Sequence, residues 1–341
     1  MVFASAPLRL SLAGGGSDIE TYSNKFEGAV VSVTLARHVY TKITSTSSKD
    51  ALFTSVDLDT KASVARVEDL KTNQNLPLHT MAYSYFIEKF GVKFLPINVS
   101  TYSDCPVGAG LGASSSLAVS LITAFSEFFA VSMTKREIAD AAYIVERNLC
   151  KMEGGKQDQY AAAFGGLNFF HFLKNGLVDV TELSLNPSMK ALIESSFILY
   201  DMGRSRVSSE IIRAQKTSIS RADTNVLSAL HAIKDQAFTM KEAVCQNDLL
   251  SMAKVMEINW LNKQKTSTKI VNDEIFQILD GLQSHGALAS KVSGAGGGGF
   301  ILVVAPMERR MKITSYLSSF GGEVANCMLS ETGSQAWSFE V

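Results

Sequence analysis

Glycines at 108, 110 and 112, serines at 114, 115 and 116, and an apolar run with helical spacing behind them (PVGAGLGASSSLAVSLITAF, 106–125) are residue types suited to gripping a polyanion. Glycine lacks a Cβ, takes positive φ readily, and lets main-chain amides come close to a ligand. A helix beginning near Ser114 aims its unpaired N–H groups and the positive end of its dipole at the same point. Phosphate is the expected occupant. The serines of that first turn can cap the helix, and one hydroxyl is a suitable ligand for Mg²⁺, which prefers oxygen. The stretch lacks the GK[ST] ending of a P-loop. Gly108-x-Gly110-x-x-Ala113 fits a loose dinucleotide fingerprint, but the position about twenty residues on falls inside a helical pattern and not at a strand end.

Two more glycine-rich turns flank this one. Residues 2–12 read as a strand that runs into Gly14, Gly15, Gly16, Ser17 and Asp18, and KVSGAGGGGFILVV (291–304) carries glycines at 294, 296, 297, 298 and 299. A plain hairpin turn would not need five glycines.

The elements that must position these turns alternate in type. Segments 28–35, 38–44 and 51–56 are β-branched and predict strands, the first two paired; 77–90 has helical spacing; and 97–102 predicts the strand feeding the first loop. After the helix at 114–130, Thr134 with Glu137 predicts a capped helix running to about residue 151. GGKQDQYAAAFGG (154–166) predicts a short helix between glycine pairs, and Asn175-Gly176 a hairpin joining 166–172 to 177–183. A strand at 197–201, several helices over 205–284, and a last helix at 307–319 among β segments complete an α+β pattern. A boundary near residue 185 divides it into a first lobe (1–185) and a second (186–341).

The 341 residues, 46% hydrophobic and 19% charged, suffice for a large core. A net charge of −1 with no long basic run points away from nucleic acid and anionic membranes, so the expected ligand is small. Cys105, Cys150, Cys245 and Cys327 have no metal-ligand spacing and read as free thiols. No apolar run reaches the roughly 18 to 20 residues of a membrane span, and the N-terminus lacks a basic n-region, so a cytoplasmic protein is expected. The five histidines, Trp260 and Trp337 take structural readings. The oligomeric state stays open, a homodimer included.

Three glycine-rich segments in this order, PLRLSLAGGGSD, PVGAGLGASSS and KVSGAGGGGF, with GGKQDQYAAAFGG between the second and third, resemble the motifs of the GHMP family of small-molecule kinases across essentially the whole chain. The resemblance is greatest to the subgroup acting on D-glycero-D-manno-heptose 7-phosphate, with fucokinase-type sugar kinases close by. It implies a two-lobed fold, with an N-terminal lobe like domain 2 of ribosomal protein S5 and a ferredoxin-like C-terminal lobe. It also implies ATP and Mg²⁺ as cofactors and a sugar phosphate as acceptor, phosphorylated at its anomeric C1 hydroxyl to feed nucleotide-activated heptose and surface polysaccharide.

Residue by residue, the resemblance makes Asp158 the catalytic acid that orients the acceptor hydroxyl, and Arg9 the basic residue beside it. The ATP loop comprises Pro106, Gly108, Gly110, Leu111, Gly112, Ala113, Ser114, Ser115 and Ser116. Ser114, or Ser115 if the register slips, and Glu146 are the implied metal ligands; Gly15, Gly16, Ser17 and Asp18 are the implied sugar contacts. Gly294, Gly296 and Gly297 are expected near the transferring phosphate. Arg204 and Arg206, in a turn with Ser205, Ser208 and Ser209, form an expected nest for the acceptor's own phosphate. Two alternatives stay open: another sugar 1-kinase of the same family, acting on fucose or galactose, and a non-catalytic sugar or nucleotide sensor on the same fold.

Overall fold

β1 (Val2–Ala13) alternates small and branched apolar residues, and it is the strand on which both halves of the protein are built. A computed structural model describes residues 1–106, 108–203 and 208–340. β2 (Gly28–Ser45) is a single strand where the sequence predicts two, and it pairs antiparallel with β1. The ladder between them shifts register between Pro7 and Arg9, and again between Ser11 and Ala13. Such irregularities re-aim side chains. Val2, Ala4 and Ala6 pack with the helix Ala113–Phe128, whereas Leu8, Leu10 and Leu12 join the core shared with helices of the second lobe.

The first sheet continues through β3 (Ala51–Ser55), β4 (Thr60–Val64), β5 (Ile97–Ser103), β6 (Leu167–Phe172) and β7 (Val178–Glu182). β6 and β7 form the hairpin predicted by Asn175-Gly176, with Gly176 at φ 82°. Helices Pro77–Phe90, Ala113–Phe128, Lys135–Tyr143 and Gln157–Phe164 supply the core of this lobe, in which the rings of Tyr83, Phe86, Phe125 and Phe129 stack. Thr134 and Glu137 form the expected capping box.

The second sheet comprises β8 (Phe197–Asp201), β9 (Ala289–Val292), β10 (Phe300–Val304) and β11 (Glu323–Asn326), in the spatial order β11-β8-β10-β9, all antiparallel. Numbered within the lobe, that is 4-1-3-2, the ferredoxin-like order. Helices Ser208–Ser220, Thr224–Cys245, Leu249–Gln264 and Asp273–Ser284 lie between β8 and β9 in the chain. The tail then returns: β12 (Leu329–Ser330) pairs with β2 and β13 (Gln335–Ser338) with β1, so the first sheet is completed by the last residues of the chain.

Trp260 is buried as expected, but Trp337 is 42% exposed, because β13 is an edge strand and its ring lies against Phe3 on the outer face. The cysteines are all free. No helix among the described residues is long and apolar enough to cross a membrane.

Candidate active site

The chain folds its first two glycine segments against each other at the irregular stretch of β1. Arg9 N–H donates to Leu111 O (3.0 Å) and Ser116 Oγ donates to Pro7 O (2.8 Å), which fixes the loop 108–112 beside the strand. The third segment closes from the other side. Phe300 N–H donates to Ala109 O (3.0 Å), and Ser293 Oγ to Gly110 O (2.9 Å). Gly110, at φ 80°, admits no side chain: a Cβ would lie 2.7 Å from Ser293 O. The helix Ala113–Phe128 begins at Gly112, itself left-handed at φ 79°, so its first amides open toward the same cleft.

A single open cleft joins the three segments. Arg9, Gly15, Gly16, Asp18, Gly108, Gly110, Gly112, Ser114, Ser115, Glu146, Asp158 and Gly294 all line it. Pro106, Leu111, Ala113, Ser116, Ser17, Gly296 and Gly297 do not. Leu111 and Ser116 are buried supports of the loop, and Ser17 locks its turn by bonding Gly14 O and Ala29 O. Ala113 instead lines a neighbouring apolar pocket. Gly296 packs on Ile270, and Gly297 N–H donates to Ile270 O (2.8 Å). Arg204 and Arg206 lie outside the described residues.

Asp158 sits in the first turn of the helix Gln157–Phe164 and is clamped by Arg9 through two parallel bonds, Nε to Oδ1 at 2.7 Å and Nη2 to Oδ2 at 2.8 Å. The remaining Nη1 of Arg9 donates to Gly110 O (2.8 Å), so one guanidinium ties the acid to the phosphate loop. Burial works to raise the Asp158 pKa, but the charge and bonds of Arg9, helped by Arg147, outweigh it and hold the carboxyl below the usual aspartate value.

Asp18 has a structural duty that its turn does not reveal. Its Oδ2 accepts the Gln157 N–H (3.1 Å), and its Oδ1 accepts the Gly16 N–H (3.0 Å) and Gln157 Nε2 (3.1 Å), so it caps the Asp158 helix from outside. Burial first, and then the Asp158 charge, push the Asp18 pKa up. The glycine pair 154–155 makes this arrangement fit. A Cβ on Gly155 would stand 2.0 Å from Asp18 Oδ2, and one on Gly154 2.3 Å from the Arg147 guanidinium carbon. Gly155→Ala therefore displaces Asp18. Its expected result is an acceptor KM raised about tenfold, the worth of one charged hydrogen bond, with KM for ATP unchanged in steady-state assays.

Glu146 reaches the cleft because the helix expected to run through residue 151 widens into a π-helical stretch at Ile144–Leu149. Only 1% exposed, its Oε2 accepts Ser115 Oγ (2.7 Å) and Gln159 Nε2 (2.6 Å), while Oε1 accepts Ser114 Oγ (2.7 Å) with Arg147 Nη1 at 3.1 Å. Ser115 Oγ also accepts from Gln159 and Arg147, leaving Ser114 the less committed hydroxyl. A hydroxyl and a carboxylate oxygen side by side on the cleft wall are the hard donors that Mg²⁺ takes, so the residues fit that ion. A cation there would share Oε1 with Arg147.

Sequence reasoning missed three features. Arg147 and Gln157 position the acids; Lys263, from the helix Leu249–Gln264, lines the cleft beside Gly15 and Gly16. An apolar pocket adjoins the cleft, sharing Ser114 and Met152 with it and lined by Val39, Leu76, Leu78 and Leu117 among others. Its residues come from three strands, two helices and the loops between them, so no local pattern marks it.

The family model described as the GHMP kinases N terminal domain matches residues 75–166, and that for the GHMP kinases C terminal region matches 240–321. A D-glycero-alpha-D-manno-heptose 7-phosphate kinase of Campylobacter jejuni is 33% identical over 331 residues, 97% of each chain. The crystal structure of a D-glycero-D-manno-heptose 1-phosphate kinase from Bacteroides thetaiotaomicron matches with a TM-score of 0.84 and 31% identity, covering 100% of both chains. Lactococcus lactis galactokinase, solved with galactose, shares the fold at a TM-score of 0.79 and 13% identity, over 98% of this chain and 95% of its own. This chain belongs to the GHMP kinase family and is an ATP-dependent phosphotransferase.

Proposed function

We propose that this kinase transfers the γ-phosphoryl group of ATP to the anomeric C1 hydroxyl of D-glycero-D-manno-heptose 7-phosphate, giving the 1,7-bisphosphate. The observation that carries the reading is the Asp158–Arg9 pair, clamped at 2.7 and 2.8 Å against a glycine loop and a helix N-terminus in one cleft. The full-length likeness to a heptose 7-phosphate kinase supports the choice of sugar.

In this reading the triphosphate lies on the amides of 108–115 and the adenine occupies the adjoining apolar pocket past Ser114. Ser114 and Glu146 would hold magnesium, which would supply charge neutralisation to the triphosphate. Asp158, ionised and of low basicity, orients the C1 hydroxyl and accepts its proton late, as suits a loose phosphoryl-transfer transition state. Arg9 offsets charge on the transferred group while holding Asp158 in place. The remaining acceptor capacity of Asp18 is left for a sugar hydroxyl. ATP as co-substrate makes the cytoplasm its place of action.

The test is ADP release with Mg-ATP against heptose 7-phosphate, mannose, fucose, galactose and mevalonate. Turnover confined to the heptose phosphate is the expected result. Turnover on an unphosphorylated sugar alone overturns the substrate, and silence on every acceptor overturns catalysis.

A further inference from the structure

Two buried lysines of the second lobe take no part in the chemistry above. Lys291 on β9 donates to Ser11 O (2.8 Å) and Leu12 O (3.4 Å), and Lys263 donates to Gly15 O (3.2 Å), so both end on the backbone that carries β1 into the first glycine turn. Neither is in direct contact with a carboxylate among the described residues. A buried ammonium that no carboxylate touches directly is costly unless a counter-ion arrives. The two differ in one respect: Lys263 lines the cleft and Lys291 does not. An ammonium has three N–H donors, and Lys263 spends one on Gly15. Gln215, anchored through its amide on Thr266 Oγ1 (2.6 Å), also faces the cleft.

We infer that Lys263 is the counter-charge for the acceptor's own phosphate, a specificity residue that separates phosphorylated from unphosphorylated sugars. The inference rests on the proposed substrate class. Arg9 is already committed to Asp158 and Gly110, and Arg147 to Glu146 and Ser115, so Lys263 is the cation of the described cleft wall left for a second anionic group.

The charged groups that face Lys263 are Asp18 from the turn, Arg9 from β1 and Lys291 from β9. Burial draws the Lys263 pKa down to about 8, with Asp18 working to raise it and Arg9 to lower it further. A bound dianion favours the ammonium, so the phosphorylated acceptor binds best below that pH and its KM climbs as pH rises through it.

The experiment measures KM for heptose 7-phosphate, for the unphosphorylated heptose and for ATP, in wild type, Lys263→Met and Lys263→Arg, with melting curves as a check of folding. Lys263→Met is expected to raise KM for the 7-phosphate by about 10- to 100-fold and to leave the other two within about twofold. Lys263→Arg is expected to recover most of the loss and to flatten the rise of KM above pH 8, because arginine stays charged. Equal rises for both sugars, or no rise for the 7-phosphate, overturn the assignment. Should the wild type use only unphosphorylated sugars, the substrate reading fails by itself. Lys263 is then tested with inorganic phosphate as an inhibitor competing with the neutral sugar: inhibition lost in Lys263→Met upholds the anion site, and inhibition retained removes it.

Discussion

Asp158→Asn lowers kcat by about 10²- to 10⁴-fold, the range seen when a positioned acid or base is removed. The loss falls on kcat because the acid meets the acceptor only where the proton and the new O–P bond are being settled, while ATP is held by amides of another segment. KM for ATP changes by less than about threefold. Asparagine keeps the shape of the side chain but offers Arg9 one acceptor oxygen in place of two, and sets an NH₂ against a guanidinium N–H. The clamp therefore loosens as the charge is lost, and the two contributions do not add. Steady-state ADP release checks the prediction, with a melting curve to separate lost catalysis from lost folding. A decrease below about tenfold removes Asp158 from the chemistry and leaves it as the partner of Arg9.

Much of this site was legible in the chain because local chemistry wrote it. The loop at 108–112 needs positive φ, and its glycines have φ of 85°, 80° and 79°. Thr134 with Glu137 names its own helix start, and Asn175-Gly176 its own turn. What escaped notice depends on tertiary contacts. The sequence reading divides β2 at Ala36–Arg37, yet these residues only lie where its ladder with β1 slips. The π-helical turn at 144–149 answers to the need to bring Glu146 against Ser114 and Ser115, which no periodicity of its own sequence encodes. Lys263 lies on a helix packed on several sides, so no apolar stripe set it apart as an inward-facing cation. Trp337 read as core by residue type, but an edge strand gave it only one neighbouring face. The glycine pair 154–155 reads from the sequence only as the edge of a short helix; in the fold it leaves room for Asp18 and Arg147.

Arg9→Gln and Arg9→Lys should separate what the guanidinium does by charge from what it does by shape. In the wild type, Arg9 is 4% exposed and holds the Asp158 pKa below the usual aspartate value. A carboxyl depressed in the folded state adds stability that is present above the unfolded pKa and is lost as pH falls through the folded one. The acid limb of kcat/KM accordingly lies at or below the ordinary aspartate range in the free enzyme. In Arg9→Gln the burial of Asp158 stands nearly unopposed, only the more distant Arg147 still acting against it, so its pKa rises above the usual value and the acid limb moves to higher pH. Breaking a buried pair on one side costs about 3 to 5 kcal/mol, and the 19% exposure of Asp158 sets the expectation at the lower end. At neutral pH kcat falls by about 10²- to 10³-fold, the loss expected when one charge-stabilising donor is removed. Arg9→Lys keeps the charge and hence the low acid limb, but a single ammonium cannot hold both Asp158 oxygens and Gly110 O at once. It should lose about tenfold in kcat with little movement of the pH profile, the cost of a point charge in place of a fork. A pH profile for Arg9→Gln that overlays the wild type would show that Asp158 owes its low pKa to something other than Arg9. An Arg9→Lys variant as impaired as Arg9→Gln would show that the three-way clamp, and not the positive charge, is what transfer depends on.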